Sequence, residues 1–201
     1  MKVVATSYIH PKGAYLNGKQ CIDTTLSDEN YLKAIYSFLK MDYPKFYKMD
    51  NLSKLALLAE HLLHDEIPSE IDSENELQLI FANSSSSQLT DLKYQDSYLN
   101  SGSPSPSLFV YTLPNILTGE LSIRHKWYGE NIFFITERFD ADFFIEQIRF
   151  SFDRGNSYCL CGWIESNMNG TEECFLFLVT QNRGDMTPES LMNSLRLYRN
   201  E

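Results

Sequence analysis

From Asp140 to Gly155 apolar residues recur at Ala141, Phe144, Ile145, Ile148 and Phe152, the three-and-four spacing that lines one face of a helix. Asp140 is a helix cap and Gly155 a stop. This segment separates two strand-like runs, 131–136 and 158–164, and a strand joined to a strand through a helix is the connection of a parallel pair. The same alternation recurs along the chain. Strand-like runs lie at 3–9, 77–82, 108–113 and 174–180. A helix is predicted over 30–39. Another starts near Asp50, with Leu52, Leu55, Ala56, Ala59, Leu62 and Leu63 on one face, and ends before Pro68. Further helices are predicted over 90–99, over 116–126, where Gly119 would let a neighbouring backbone approach, and after Thr187, which caps a helix with Pro188 at its first position. Asn17 and Gly18 carry turn chemistry for a hairpin or loop, and 167–170 joins the last two strands as a hairpin. The pattern implies one α/β domain over 1–201, with a mostly parallel sheet covered on both faces.

Charge and cysteine use narrow the function classes. A net charge of −10 opposes phosphate backbones, which excludes nucleic acid as a partner. No apolar run approaches the roughly 18–20 residues of a membrane span, and the N-terminus lacks a secretory pattern, so a cytoplasmic protein is expected. The four cysteines, Cys21, Cys159, Cys161 and Cys174, then read as free and buried. Cys159 and Cys161 share a strand face without further ligands, and His61 and His64 read as a solvated helix edge without the H-E-x-x-H pattern. His125, between Arg124 and Lys126, reads as surface. No metal and no cofactor are expected. The serines at 84–87 lack the glycines of a phosphate-binding nest and read as a flexible loop.

The order of several short blocks resembles the β-ketoacyl synthase family of the thiolase-like superfamily over 46–179. The blocks are Pro44-Lys45-Phe46-Tyr47-Lys48-Met49-Asp50 before the Leu/Ala helix, the run 77–83, and 105–129 with Pro114, Asn115, Gly119 and Gly129. Then come Phe133 to Arg138, Phe144-Ile145 behind it, and Cys161-Gly162-Trp163-Ile164-Glu165, where Trp163 replaces a family glycine. The resemblance implies half of a thiolase-like molecule, a five-stranded mixed sheet with helices on both faces. It also implies a strand ending at Pro114-Asn115 and a nucleophilic cysteine in the turn after the strand 131–136.

That turn reads Thr136-Glu137-Arg138-Phe139, and it holds no cysteine. By register Arg138 occupies the cysteine position, and arginine forms no thioester. Thr136 is the turn's hydroxyl, with no histidine nearby in sequence to deprotonate it. At 201 residues the chain is also about half the family's length, and His10, His61, His64 and His125 match none of the histidines of the family's C-terminal half. The resemblance therefore implies a non-catalytic partner in fatty-acid or polyketide-type synthesis. It would be a homodimer, or pair with a full-length ketosynthase, through Asn131, Phe133, Phe134 and Ile135, because the family pairs this strand across a two-fold axis. An acyl carrier protein, acidic in the family, would need a basic patch, and Lys40, Lys45, Lys48 and Lys54 cluster in sequence. Two alternatives stand beside it: an active 3-oxoacyl synthase or acyltransferase completed by another chain, and an acyl- or small-molecule-binding module.

Overall fold

The computed structural model describes residues 1–27, 30–69, 71, 77–100 and 102–199. Its strands are β1 (Lys2–His10), β2 (Gly13–Leu16), β3 (Lys19–Asp23), β4 (Leu77–Asn83), β5 (Asn131–Ile135), β6 (Tyr158–Ser166) and β7 (Glu172–Thr180). Among the described residues they form one seven-stranded sheet in the order β3-β2-β1-β7-β6-β4-β5. The expected five-stranded sheet is thus two strands short. The expectation of a mostly parallel sheet is also corrected: β4 runs parallel to β5 and β6, while the four pairings from β6 to β3 are antiparallel. The two added strands are short, and β3 is exposed at four of its five residues, so they carry little of the apolar alternation by which a strand is read. Asn17 and Gly18 join them with positive φ at both positions, the two-residue turn whose twist matches a hairpin.

Helices cover both faces: α1 (Tyr31–Phe38), α2 (Asn51–Leu63), α3 (Gln88–Leu99), α4 (Pro106–Val110), α5 (Ile116–His125), α6 (Ala141–Asp153) and α7 (Pro188–Arg199). Strand alternation divides the interior into two cores. Leu79, Phe81, Leu160, Ile164, Leu176 and Leu178 face α1, α2 and α5, whereas Ile80, Cys159, Cys161, Trp163, Phe175 and Phe177 face α6 and α7. β4 is buried along its whole length, as its continuous apolar run predicts for a strand with neighbours on both sides and helices on both faces.

The caps follow the sequence. Asp50 accepts from Ser53 N at 3.0 Å, Asp140 from Phe143 N at 3.1 Å and Thr187 Oγ1 from Ser190 N at 3.1 Å. The expected strand at 108–113 does not form. Ser105 Oγ accepts from Leu108 N, Pro106 takes the first helical position, and α4 forms with Phe109 and Val110 exposed. Apolar and β-branched residues make a strand only where a sheet buries them, and here none does. Pro114 and Asn115 therefore follow a helix and a turn, not a strand. Gly119 is a second correction: among the described residues a Cβ there would meet nothing within 4 Å outside its own helix, so no neighbouring backbone closes on it. Gly162 is the glycine that close packing requires, since a Cβ would sit 2.2 Å from Leu176 Cδ2 and 3.0 Å from the Phe175 carbonyl.

Candidate functional site

The parallel strands β4 and β5 end side by side, and the chain leaves them through two turns. Thr136 N donates to the Asn83 carbonyl at 2.9 Å, extending the β4–β5 ladder by one rung. Asn83, buried, closes its own turn by donating to the Ser86 carbonyl and accepting from Ser86 N, each at 2.9 Å. Ser84 donates from N at 2.9 Å and from Oγ at 2.6 Å to Glu165 Oε2, and Ser87 Oγ bonds the Thr112 carbonyl. The serines at 84–87 thus form a hydrogen-bonded turn and not the expected loose loop. Glu165 is buried on β6, and its Oε1 has no hydrogen-bond partner among the described residues.

The turn that follows β5 carries no thiol. Thr136 Oγ1 donates to the Arg138 carbonyl at 3.2 Å, Glu137 and Arg138 are exposed, and Phe139 turns inward onto Phe144, Phe175 and Phe177. Arg138 therefore lies in solvent at the head of α6, and the space beneath the turn belongs to an aromatic ring. The four histidines sit on β1 (His10), on α2 and at its C-cap (His61 and His64) and on α5 (His125), and none bonds Thr136. Cys159, Cys161 and Cys174 are buried, and burial pushes the Cys161 and Cys174 thiols well up, which makes them poor nucleophiles. Cys21, expected inside, is exposed on β3.

The remaining motif residues divide between two places. Gly162 and Glu165 lie on β6, with Glu165 reaching the turn after β4. Pro114, Asn115 and Gly119 lie at α5, whose Thr118 Oγ1 is 2.7 Å from the Asn115 carbonyl and 2.8 Å from Asn131 Oδ1 at the start of β5. Gly129 is in the loop between them. Among the described residues β5 is an edge strand with β4 as its one neighbour. Asn131 and Ile135 are exposed, while Phe133 and Phe134 turn to opposite cores and Phe134 meets Phe143 edge-on at 4.9 Å. Of the basic cluster, Lys45 Nζ pairs with Glu120 at 2.6 Å and Lys54 lies over the Phe46 ring, leaving Lys40 and Lys48 exposed.

A second constellation stands where the last turns of α2 and α5 meet. Glu60 is fully buried, with Oε1 2.7 Å from His64 Nδ1 and Oε2 2.9 Å from His125 Nε2. The imidazoles stack with centroids 4.6 Å apart, and Trp127 stacks on His125 at 4.5 Å. Burial is the largest influence on Glu60 and pushes its carboxyl up, but the bonds to His125 and His64 outweigh it and hold the carboxyl below its ordinary value. The bond to Glu60 raises His64 against its own burial, whereas burial lowers His61. His125, read as surface, has 11% of its side chain exposed. The sequence signal was Glu60 itself, a carboxylate within the apolar stretch of a helix; its partner 65 residues on gave no local sign.

No protein-family model matches the chain, and no curated protein matches it. Solved structures do. A structure of a ketosynthase (ApeO) in complex with its chain length factor (ApeC) from Xenorhabdus doucetiae includes a chain that superposes with a TM-score of 0.64 at 14% identity, over 100% of this chain and 92% of that one. The fold it shares is the ketosynthase fold. The ishigamide ketosynthase/chain length factor matches with a TM-score of 0.62 at 17% identity, over 92% of this chain and 63% of its own. A type II PKS acyl-carrier protein in complex with its ketosynthase bound to the hexaketide (AntDE:AntF) gives 0.61 at 15%, over 98% and 64%. This chain thus spans somewhat under two thirds of those last two. At such identities the ketosynthase likeness concerns the backbone, and the side chains carry their own argument. Among the described residues, no helix is long and apolar enough to cross a membrane.

Proposed function

We propose that this chain is a ketosynthase-like protein that performs no condensation itself and serves as the non-catalytic partner of a full-length ketosynthase in polyketide-type synthesis. The observation that carries the reading is the turn after β5. It follows a strand and leads into a capped helix, and it offers exposed Glu137 and Arg138 and the inward ring of Phe139 where the resemblance would put a thiol. A nucleophile at a helix N-terminus gains from the dipole and from free amides; a guanidinium there gains neither and forms no acyl bond. The structures sharing the fold include ketosynthases held with chain length factors or a carrier protein, which supports a place in such an assembly.

The partner, a ketosynthase or a second copy of this chain, would join along β5. An edge strand presents unpaired amides and carbonyls, and the exposed Ile135 beside it adds apolar surface. An acyl carrier protein would meet the surface around Lys40 and Lys48. Intact-mass spectrometry after incubation with acyl-CoA and acyl-carrier donors tests the catalytic half: no adduct is expected. A stable adduct at Thr136, abolished by Thr136→Ala, would replace this reading with the acyltransferase alternative. Light scattering tests the association. Complex formation lost in Ile135→Glu supports it, and a wild-type monomer at tens of micromolar that captures no co-expressed ketosynthase overturns it.

A further inference from the structure

The corner formed by α2 and α5 is built for more than packing. We infer that Glu60, His64 and His125 bind a divalent transition-metal ion, with zinc the best match to the ligand set. Two imidazole nitrogens and a carboxylate are the donor combination that zinc and its neighbours take, and the three donor atoms lie within 4.8 Å of one another. Both carboxylate oxygens already face a ring nitrogen, His64 Nδ1 on one side and His125 Nε2 on the other. To receive an ion each ring carries its proton on the opposite nitrogen, His64 on Nε2 and His125 on Nδ1, and turns a lone pair inward. The carboxylate is fully buried, and two neutral imidazoles compensate a buried charge less completely than a cation does.

The surroundings fit an ion that can enter and exchange. A cleft of about 750 Å³ opens beside the triad, lined by Asp65, Glu66, Ile67 and Trp127 together with both histidines. It provides an approach, an acidic rim that draws cations, and room for the water that completes a three-ligand site. Trp127, stacked on His125, holds that ring in plane. Arg124, which lies over Tyr43, is the nearby positive charge that opposes the ion. Bound there, the ion would fasten the end of α2 to the end of α5. The site is independent of the turn after β5, so it stands whether or not the protein partners a ketosynthase.

The test titrates untagged, chelator-treated full-length protein with Co2+, reading its visible absorption, and then displaces it with Zn2+. One equivalent per chain is expected, with the intense bands of four- or five-fold coordination. His64→Gln and His125→Gln should each weaken binding by about 100-fold or more, beyond the 10–100-fold that even outer partners contribute. His61→Gln, one position along the same helix from Glu60 but outside the triad, should change it by less than about 2-fold by comparison. Far-UV circular dichroism checks that each variant is folded, and His64, with 42% of its side chain exposed, supplies a variant that keeps its core. The inference is overturned by absence of stoichiometric binding, by six-coordinate spectra, or by binding that His64→Gln leaves intact.

Discussion

At the turn after β5 the polar side chains face water and the buried position holds a phenyl ring, whereas at the meeting of α2 and α5 Glu60 and most of His125 are inside and His64 borders a cleft open to solvent. The first region is the one to which the ketosynthase resemblance assigns a reaction centre, and its side chains offer no thiol. The second has ionisable groups held in contact, at a place to which the ketosynthase resemblance assigned no role. Backbone and chemistry make different demands: a turn that ends a strand and starts a helix needs no reactive side chain, while a buried carboxylate needs partners that offset its desolvation.

This contrast predicts unequal costs of mutation. The largest effect should come from Glu60→Ala, which strips two imidazoles of their shared acceptor and leaves a void in the core. Urea unfolding should show a loss of about 3 kcal/mol, the scale for breaking a buried ion pair. A loss below about 1 kcal/mol would place the triad with ordinary surface pairs and dissolve the contrast.

The pH dependence should be next in size. His64, raised by its bond to Glu60, contributes stability that is complete below its ordinary 6.5 and fades as pH climbs through its folded-state value. Glu60, lowered by the two histidines against burial, contributes stability present above its ordinary 4.5 and lost as pH falls through its lower folded-state value. Between these limits both contributions are present. Thermal melts of chelator-treated protein should therefore show the widest gap between wild type and His64→Gln at pH 4.5–6.5. The gap should narrow on the alkaline side, and one that widens from neutral to alkaline pH would reverse the assigned direction.

The smallest effects belong to the other region. Thr136→Ala and Arg138→Ala remove exposed or locally bonded groups, and each should shift stability by no more than about 0.5 kcal/mol. Arg138→Cys sharpens the comparison. A thiol at the head of α6 should react with iodoacetamide faster than the three buried cysteines, yet the variant should still fail to condense acyl donors, since none of the four histidines bonds this turn. Condensation by that single substitution would show that the region had kept more machinery than its described contacts reveal.

Much of the fold was legible because its signals are local. Asp50 and Asp140 announced α2 and α6, the apolar run of β4 announced a strand buried on both faces, and the turn after Ser166 announced the β6–β7 hairpin. The errors share a cause as well. The 108–113 segment has strand-like side chains, but a serine cap and a proline at the first helical position decide its backbone where no sheet buries it. Sheet order was illegible because it depends on which strands meet, and no local pattern says that β1 lies between β2 and β7. The site behaved likewise. That the turn after β5 holds no cysteine could be read locally, whereas the pairing of Glu60 with His125 spans 65 residues and exists only once α2 and α5 have docked.

The place of β1 bears on how the molecule is made. Lys2 pairs with Thr180 and Ile9 with Cys174, so β1 finds its inner neighbour only after some 170 further residues have been added. Until then β1 has only the short β2 beside it, and its other edge is open to any extended segment nearby. At a synthesis rate of roughly 5–20 residues per second that exposure lasts on the order of ten seconds or more. Closure of the sheet is a non-local event that comes late and slowly, because β1 and β7 must meet across most of the described chain.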